Sequence, residues 1–181
     1  MAGVKLSLGE VEGLCKKAAR GAGLPWGLAE EAGFAARWLS AHGFDGAGLV
    51  LADLEMGGQS LSLGVALADA PEAGTIPAAE VPLLLAPFAA LVARRQPCTL
   101  TLPDERFNFA ADGAVSHVST GGAFSFAFGL TDGGNPLSRR TRPTVSEATL
   151  QRLTELAART YAPATEASRL AGAGAGLSDN D

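Results

Sequence analysis

The sequence predicts an α+β protein: an N-terminal helical hairpin and further helices packed on a roughly four-stranded antiparallel sheet, then a C-terminal helix and an extended tail. Two observations support this fold class. Residues 1–97 repeat apolar side chains mainly at helical spacing, whereas residues 98–130 alternate apolar and polar side chains with a period of two. Helical spacing returns within residues 144–181. At this length we predict one domain over residues 1–181.

Sequence signals predict where the first two helices begin and end. Ser7 and Glu10 have the spacing of a capping box, in which each side chain accepts a hydrogen bond from the other residue's backbone amide. Gly23 predicts the helix end, because glycine takes the left-handed conformation without steric cost. Pro25 favours a second helix start. So short a link predicts an antiparallel hairpin.

The next segments are less uniform. Asp45 is placed to cap a helix over residues 46–56, and the sequence predicts a helix over residues 83–95 with a kink at Pro87. Between them, residues 61–67 alternate Leu and Val with smaller residues, which fits a strand but does not require one.

The sheet is predicted from four alternating segments with short turns between them. The segments are 98–102, 106–110, 114–118 and 123–128. Such turns join antiparallel neighbours, so we expect a meander with a Leu- and Phe-rich face and a polar face. A last long helix, capped by Thr144 or Ser146, is expected to lie on the Phe-rich face.

Composition narrows the classes of function. The chain has 14 basic and 19 acidic residues, a net charge of -5, and so lacks the basic footprint of a nucleic-acid-binding protein. The apolar run 81–93 contains two prolines and is too short to span a bilayer. No apolar leader precedes the first helix, and the two cysteines lack zinc-site spacing. We expect a soluble cytoplasmic protein with no membrane partner, metal or cofactor.

The candidate site lies mainly in the C-terminal tail, residues 161–181. The candidate ligand-binding residues there are Thr165, Glu166, Ser168, Arg169, Asp179 and Asp181. The first four share one predicted short helix, where they either cap and pair locally or position a ligand carboxylate on Arg169. The glycine-rich stretch 172–176 follows a helix instead of leading into one, so it does not predict a phosphate loop.

Two cations of the first helix complete the candidate set. Lys17 and Arg20, with Lys16, lie opposite its apolar face, where a solvated surface is the default. Residues 179–181 are either a solvated tail, a metal-binding end or a negative clamp on these three cations. Elsewhere, His117 is the best-placed general base of the sheet, although no partner is identifiable. Arginines at 139, 140 and 142 form a loop cluster that either binds an acidic partner or keeps the loop hydrated.

Residues 5–32, with Gly23-Leu-Pro-Trp26, and residues 160–181, with Thr165-Glu-Ala-Ser-Arg169, resemble one uncharacterised family of bacterial domains of unknown function. That resemblance implies no activity. The opening helices also resemble the N-terminus of the malate/L-lactate dehydrogenases that lack a Rossmann fold. Those enzymes continue into a Ser-His-Gly motif, whereas this chain reads Phe44-Asp-Gly-Ala-Gly48, so the resemblance implies only the hairpin.

The leading functional hypothesis is a non-catalytic or accessory domain whose C-terminal tail completes an interface or a ligand pocket. Its expected partner is a second copy, in a homo-oligomer, or an operon-encoded protein. The alternative is a small cytosolic enzyme that acts on a carboxylated, acidic metabolite, with Arg169 as anchor and Glu166 or His117 as acid or base. The sequence leaves the choice between enzyme and non-enzyme open.

Overall fold

The computed structural model describes residues 3–160 and has the predicted α+β architecture. The helices are α1 (Leu8–Gly21), α2 (Trp26–Ala41), α3 (Gly46–Glu55), α4 (Gln59–Asp69), α5 (Ala86–Ala93) and α6 (Glu147–Ala158). The strands are β1 (Gly3–Lys5), β2 (Gly74–Thr75), β3 (Cys98–Thr101), β4 (Arg106–Phe109), β5 (Val115–Val118), β6 (Ser125–Phe128), β7 (Asn135–Pro136) and β8 (Thr144–Ser146). A short 3-10 turn at Pro82–Leu85 leads into α5.

The predicted helical hairpin is present, with both of its end signals. The backbone amide of Glu10 donates to Ser7 Oγ (3.2 Å), and the amide of Ser7 donates to Glu10 Oε2 (2.7 Å). Gly23 takes a φ of 98° in the link before α2, which requires glycine. Buried alanines dominate the contact between α1 and α2, so the two helices approach closely.

The strand considered for residues 61–67 is wrong, because this segment lies within α4. Its buried residues include Leu61, Gly64 and Leu67, which are spaced three apart and share a helix face. A Cβ at Gly64 would overlap the ring of Phe88, so glycine permits α4 to pack against α5. The short alternation of leucine with small residues is compatible both with the strand period of two residues and with the helical period of about 3.6 residues.

The four predicted strands are present, but they do not form a simple meander. The sheet order is β2-β6-β3-β4-β5-β7, and all its pairs are antiparallel. The strand β6 pairs with β3 instead of β5 because Gly121 and Gly122 are not a hairpin turn. They cross the end of β3, where the amide of Gly122 donates to the carbonyl of Leu102 (2.9 Å) and a Cβ at Gly121 would overlap that carbonyl.

The helix on the Phe-rich face is α5, so the expectation that the C-terminal helix covers it is wrong. Contacts join α5 to β3 and β4, whereas α6 packs on α1 and α3. Before α6, β8 pairs with β1 in a separate two-stranded ribbon, which holds the start of the chain beside its last helix. This arrangement brings the C-terminal end of α6 to α1.

The polar face of the sheet is also covered. Asn108 is 5% exposed, and its side-chain amide donates to the carbonyls of Thr131 (3.1 Å) and Gly133 (3.2 Å). Its Oδ1 accepts from Thr99 Oγ1 (2.8 Å) and from the amide of Thr131 (3.0 Å). Asn108 therefore helps to hold the glycine-rich loop after β6 on the sheet. Thr99 Oγ1 and Arg106 Nη2 donate to two further carbonyls of the same loop, at 2.9 and 3.2 Å.

Candidate functional site

The two described members of the predicted site, Lys17 and Arg20, line one cavity of about 570 Å³ between α1 and the end of α6. We call this cavity the basic cleft. Its lining residues are Gly13, Lys16, Lys17, Arg20, Gly21, Trp26, Arg159 and Thr160. The other predicted site residues, Thr165, Glu166, Ser168, Arg169, Asp179 and Asp181, lie outside the described residues.

An aromatic ring forms one wall of the basic cleft. Trp26 begins α2 and is 65% exposed, and the guanidinium carbon of Arg20 lies 4.4 Å from its ring centre. Arg20 Nη1 also donates to the backbone carbonyl of Leu24. These two contacts hold the guanidinium over the exposed Trp26 ring, in the geometry of a cation–π interaction.

The basic cleft has an excess of positive charge. Lys16 Nζ pairs with Glu30 Oε1 at 2.7 Å. Among residues 3–160, no carboxylate oxygen lies within 4.0 Å of the cationic nitrogens of Lys17, Arg20 or Arg159. Arg159 follows the C-terminal end of α6. This end can lie against α1 because Gly21 has no Cβ, and a Cβ there would overlap the carbonyl of Leu156. Three cations thus line the basic cleft together with Trp26 and have no carboxylate partner among the described residues.

A second concave surface lies between α2, α5 and the loop before β8. It consists of two adjoining cavities of about 240 and 540 Å³ that share Phe34, Trp38, Arg94 and Arg139. We call it the arginine groove. Arg37 and Arg140 also line the larger cavity, and His42 and Asp112 line the smaller one.

His42 is held beneath this groove by Trp38. The two rings lie 3.9 Å apart at 30°, and His42 Nδ1 donates to the backbone carbonyl of Trp38 (2.8 Å). Burial lowers the pKa of His42 below its ordinary value, and the positive charge of Arg139 adds to this, while the hydrogen bond to Trp38 opposes it. The folded protein therefore favours the neutral imidazole, whose Nδ1 carries the proton.

The histidine singled out in the sheet has a partner that sequence reasoning missed. His117 Nε2 lies 3.5 Å from Glu105 Oε1, and its ring is 4.9 Å from that of Phe107. Glu105 belongs to the turn before β4, one of the short turns predicted between the strands, and the sequence pattern does not connect it with His117. None of the five cavities described on residues 3–160 is lined by His117.

The cysteines form no reactive site. Cys15 and Cys98 are free and buried, and burial raises the pKa of each thiol to about 12. Both therefore remain protonated at neutral pH. Within residues 3–160, no group of three or more His, Cys, Asp or Glu side chains is arranged to hold a metal ion. No helix in the same residues is long and apolar enough to cross a membrane.

The segment that contributes Lys17, Arg20 and Trp26 also carries the similarity to known proteins. Residues 6–75 match the model of a family described as "Protein of unknown function (DUF3726)". The resemblance predicted for the N-terminal helices is therefore confirmed, whereas the one predicted for residues 160–181 is not shown. No curated protein and no solved structure matches the chain.

The family match covers α1 to α4 and so includes most of the aromatic wall of each concave surface. Arg159, Arg94 and Arg139 lie beyond it. The family description names no activity.

Proposed function

We propose that this protein is a non-catalytic accessory domain whose basic cleft receives an acidic segment, and that the segment is its own C-terminal tail. The observation that supports this most directly is the position of Thr160. It lines the basic cleft beside Arg159, so residues 161–181 start at the rim of a surface with three cations that lack a described carboxylate partner. The tail then supplies Asp179 and Asp181.

Reach and charge both favour this occupant. The chain from Thr160 to Asp179 can extend up to roughly 60 Å, several times what a return to an adjoining cleft requires. Glycines at 172, 174 and 176 let the backbone turn back without steric cost. Each carboxylate that meets Lys17, Arg20 or Arg159 at this surface contributes on the order of 0.2–1 kcal/mol, so several pairs are needed.

Contact with Trp26 would add the burial of apolar surface, a contribution that exposed ion pairs do not make. Its exposed ring offers apolar surface to the alanine-rich part of the tail, and burial of apolar surface contributes roughly 25 cal/mol per Å². The tail can reach the cleft of its own chain or, by exchange, that of a second copy. The second arrangement would make the predicted homo-oligomer, and both use the same contacts.

The test follows Trp26 as a reporter of tail docking. Because the chain has two tryptophans, Trp38→Phe leaves Trp26 as the single emitter. In that background, removal of residues 161–181 should shift the Trp26 emission and lower the melting temperature. Asp179→Asn with Asp181→Asn should give part of the same change, as should about 1 M NaCl, which shortens the Debye length to about 3 Å.

The matched control is a charge change outside the cleft. Lys17→Gln with Arg20→Gln should weaken docking, whereas Arg95→Gln, at an exposed site that does not line the cleft, should leave it unchanged. Light scattering separates a monomer closed by its own tail from an exchanged dimer. Emission and melting temperature that are unchanged by removal of the tail would exclude the proposal.

One observation favours the alternative, an enzyme that acts on a carboxylated metabolite. His117 lies beside Glu105, and a carboxylate next to an imidazole can orient it as a general base. A thermal-shift screen of small carboxylic acids tests this alternative. It requires an acid that raises the melting temperature in the parent protein and not in the Arg169→Ala protein. Turnover of that acid should fall in His117→Gln.

A further inference from the structure

The arginine groove is independent of the basic cleft and has a composition of its own. Arginines from three different segments converge on aromatic side chains of α2. Arg94 is at the C-terminal end of α5, Arg139 and Arg140 lie in the loop before β8, and Arg37 lies in α2 beside Trp38. Phe34 and Trp38 line both adjoining cavities.

Most of this positive charge is available to a ligand. Arg37 is paired with Glu12, with Nη1 and Oε2 2.8 Å apart. Among residues 3–160, Arg94, Arg139 and Arg140 have no carboxylate oxygen within 4.0 Å. Guanidinium groups match carboxylate and phosphate oxygens with paired donors, and several that line one cavity form a site for an oxyanion.

The loop that carries two of these arginines is fixed at both ends of its contact with the groove. The amide of Leu137 donates to the carbonyl of Val115 (2.9 Å), and the amide of Arg140 donates to the carbonyl of Ala41 (2.6 Å). Arg139 lies between these two anchors. Backbone hydrogen bonds therefore hold this loop to α2 and β5, and they fix the wall of the cavity that carries Arg139.

Each of the two cavities also holds one carboxylate. Asp112 lines the smaller cavity at the turn before β5, where its Oδ1 accepts from the amide of Ala114 (2.9 Å). Glu12 lines the larger cavity, where it is paired with Arg37. Arg94 and Arg139 line both cavities, so positive charge exceeds negative charge in the groove as a whole.

We propose that the arginine groove binds a small, flat aromatic molecule with one oxyanion group, either a phosphate or a carboxylate. The ring lies against Trp38 and Phe34, and the oxyanion lies between Arg94 and Arg139. Cavities of about 240 and 540 Å³ are of the size that holds a small organic ligand. The proposed site contains no residue of 161–181, so a failure of tail docking would not contradict it.

The experiment uses the full chain with Trp26→Phe, which leaves Trp38 as the single emitter. Trp26 is 65% exposed and outside the core, so this background keeps the fold. The probes are phenyl phosphate, benzoate and inorganic phosphate. Phenyl phosphate or benzoate should change the Trp38 emission saturably, and inorganic phosphate should bind at least about tenfold more weakly because it has no ring to stack.

Variants of neighbouring arginines supply the control. Arg94→Ala and Arg139→Ala should each weaken probe binding about tenfold, because each removes a charged donor. Arg95→Ala, next in the chain but outside both cavities, should leave it unchanged. Response to phenyl phosphate alone assigns a phosphate ligand, and response to benzoate assigns a carboxylate.

Three results would overturn the proposal: no saturable response to either aromatic probe, equal binding of inorganic phosphate, or equal losses in Arg94→Ala and Arg95→Ala. Saturation-transfer NMR on the unsubstituted chain repeats the measurement without any tryptophan change. Circular dichroism of each variant confirms that it is folded before its affinity is compared.

Discussion

The guanidinium carbon of Arg20 lies 4.4 Å from the centre of the Trp26 ring, across the link between α1 and α2. The same side chain donates to the carbonyl of Leu24 within that link. Arg20 therefore fixes both the turn of the hairpin and the aromatic wall of the basic cleft. This contact couples the most clearly predicted part of the fold to the proposed function.

The first prediction concerns this contact. Arg20→Ala should lower the free energy of unfolding by about 0.5–1 kcal/mol, the size of an exposed cation–π contact, and should change the emission of Trp26. Urea unfolding followed by circular dichroism measures the stability, and the Trp38→Phe background isolates the emission. Arg95→Ala, without an aromatic partner, should do neither. An Arg20→Ala protein with unchanged stability and emission would contradict the geometry.

The second prediction concerns the approach of α6 to α1. A Cβ at Gly21 would overlap the backbone carbonyl of Leu156, so Gly21→Ala should force α6 outward and lower the free energy of unfolding by about 1–3 kcal/mol. At Gly13, in the same helix, a Cβ would meet nothing within 4 Å. Gly13→Ala should therefore stabilise the protein by up to about 1 kcal/mol, the difference in helix propensity. Urea unfolding that gave both variants the same sign would exclude the close approach.

The third prediction concerns a buried carboxylate that starts a helix. Asp53 is 0% exposed, and its two oxygens accept from the amides of Ser60 (2.9 Å) and Leu61 (3.1 Å) at the start of α4. Asp53→Ala leaves two buried donors unpaired at about 1–3 kcal/mol each, so the free energy of unfolding should fall by roughly 2–6 kcal/mol.

An exposed cap of the same residue type provides the comparison. Asp45 caps α3 by accepting from the amide of Gly48 (3.0 Å), and there water can replace the lost carboxylate. Asp45→Ala should lower the free energy of unfolding by only about 1 kcal/mol. Urea unfolding of both variants measures the difference, and a loss in Asp53→Ala no larger than that in Asp45→Ala would contradict the buried cap.

Local signals were sufficient for much of the fold. Ser7, Glu10 and Gly23 act within a few residues of themselves, so the ends of α1 could be predicted correctly. The segment at 61–67 could not, because its helix depends on the side chain of Asp53 and on the fit of Gly64 against Phe88. Those are tertiary contacts, and a short alternation of leucine with small residues fits either period.

The same distinction applies to the two concave surfaces. The sequence could place Lys17 and Arg20 side by side, because they are one turn apart on one helix; their role as a site stays a prediction. Arg159 was missed because only the packing of α6 on α1 brings it to them. In the arginine groove, the four-residue spacing of Trp38 and His42 on α2 was a usable signal. That Arg94 and Arg139 line one cavity could not be predicted. The strands of the sheet lie between them in the sequence, and the fold of that sheet determines where Arg139 lies.

The fourth prediction concerns the dependence of stability on pH. Because burial lowers the pKa of His42 below its ordinary 6.5, the unfolded chain binds this proton more readily than the folded protein does. Above about pH 6.5 both states are neutral at His42, and its contribution to stability is fully present. As the pH falls through 6.5 toward the lower folded pKa, that contribution is progressively lost.

The measurement compares free energies of unfolding at about pH 7.5 and about pH 5.5, above the range in which ordinary carboxylates titrate. His42→Phe keeps a ring against Trp38 and removes the titration, so it should lose less stability than the parent over this interval. Burial raises the pKa of Glu31, which acts in the opposite direction but is common to both proteins and cancels in the comparison. A slope that His42→Phe leaves unchanged would mean that the folded protein accepts the proton at His42 as readily as the unfolded chain.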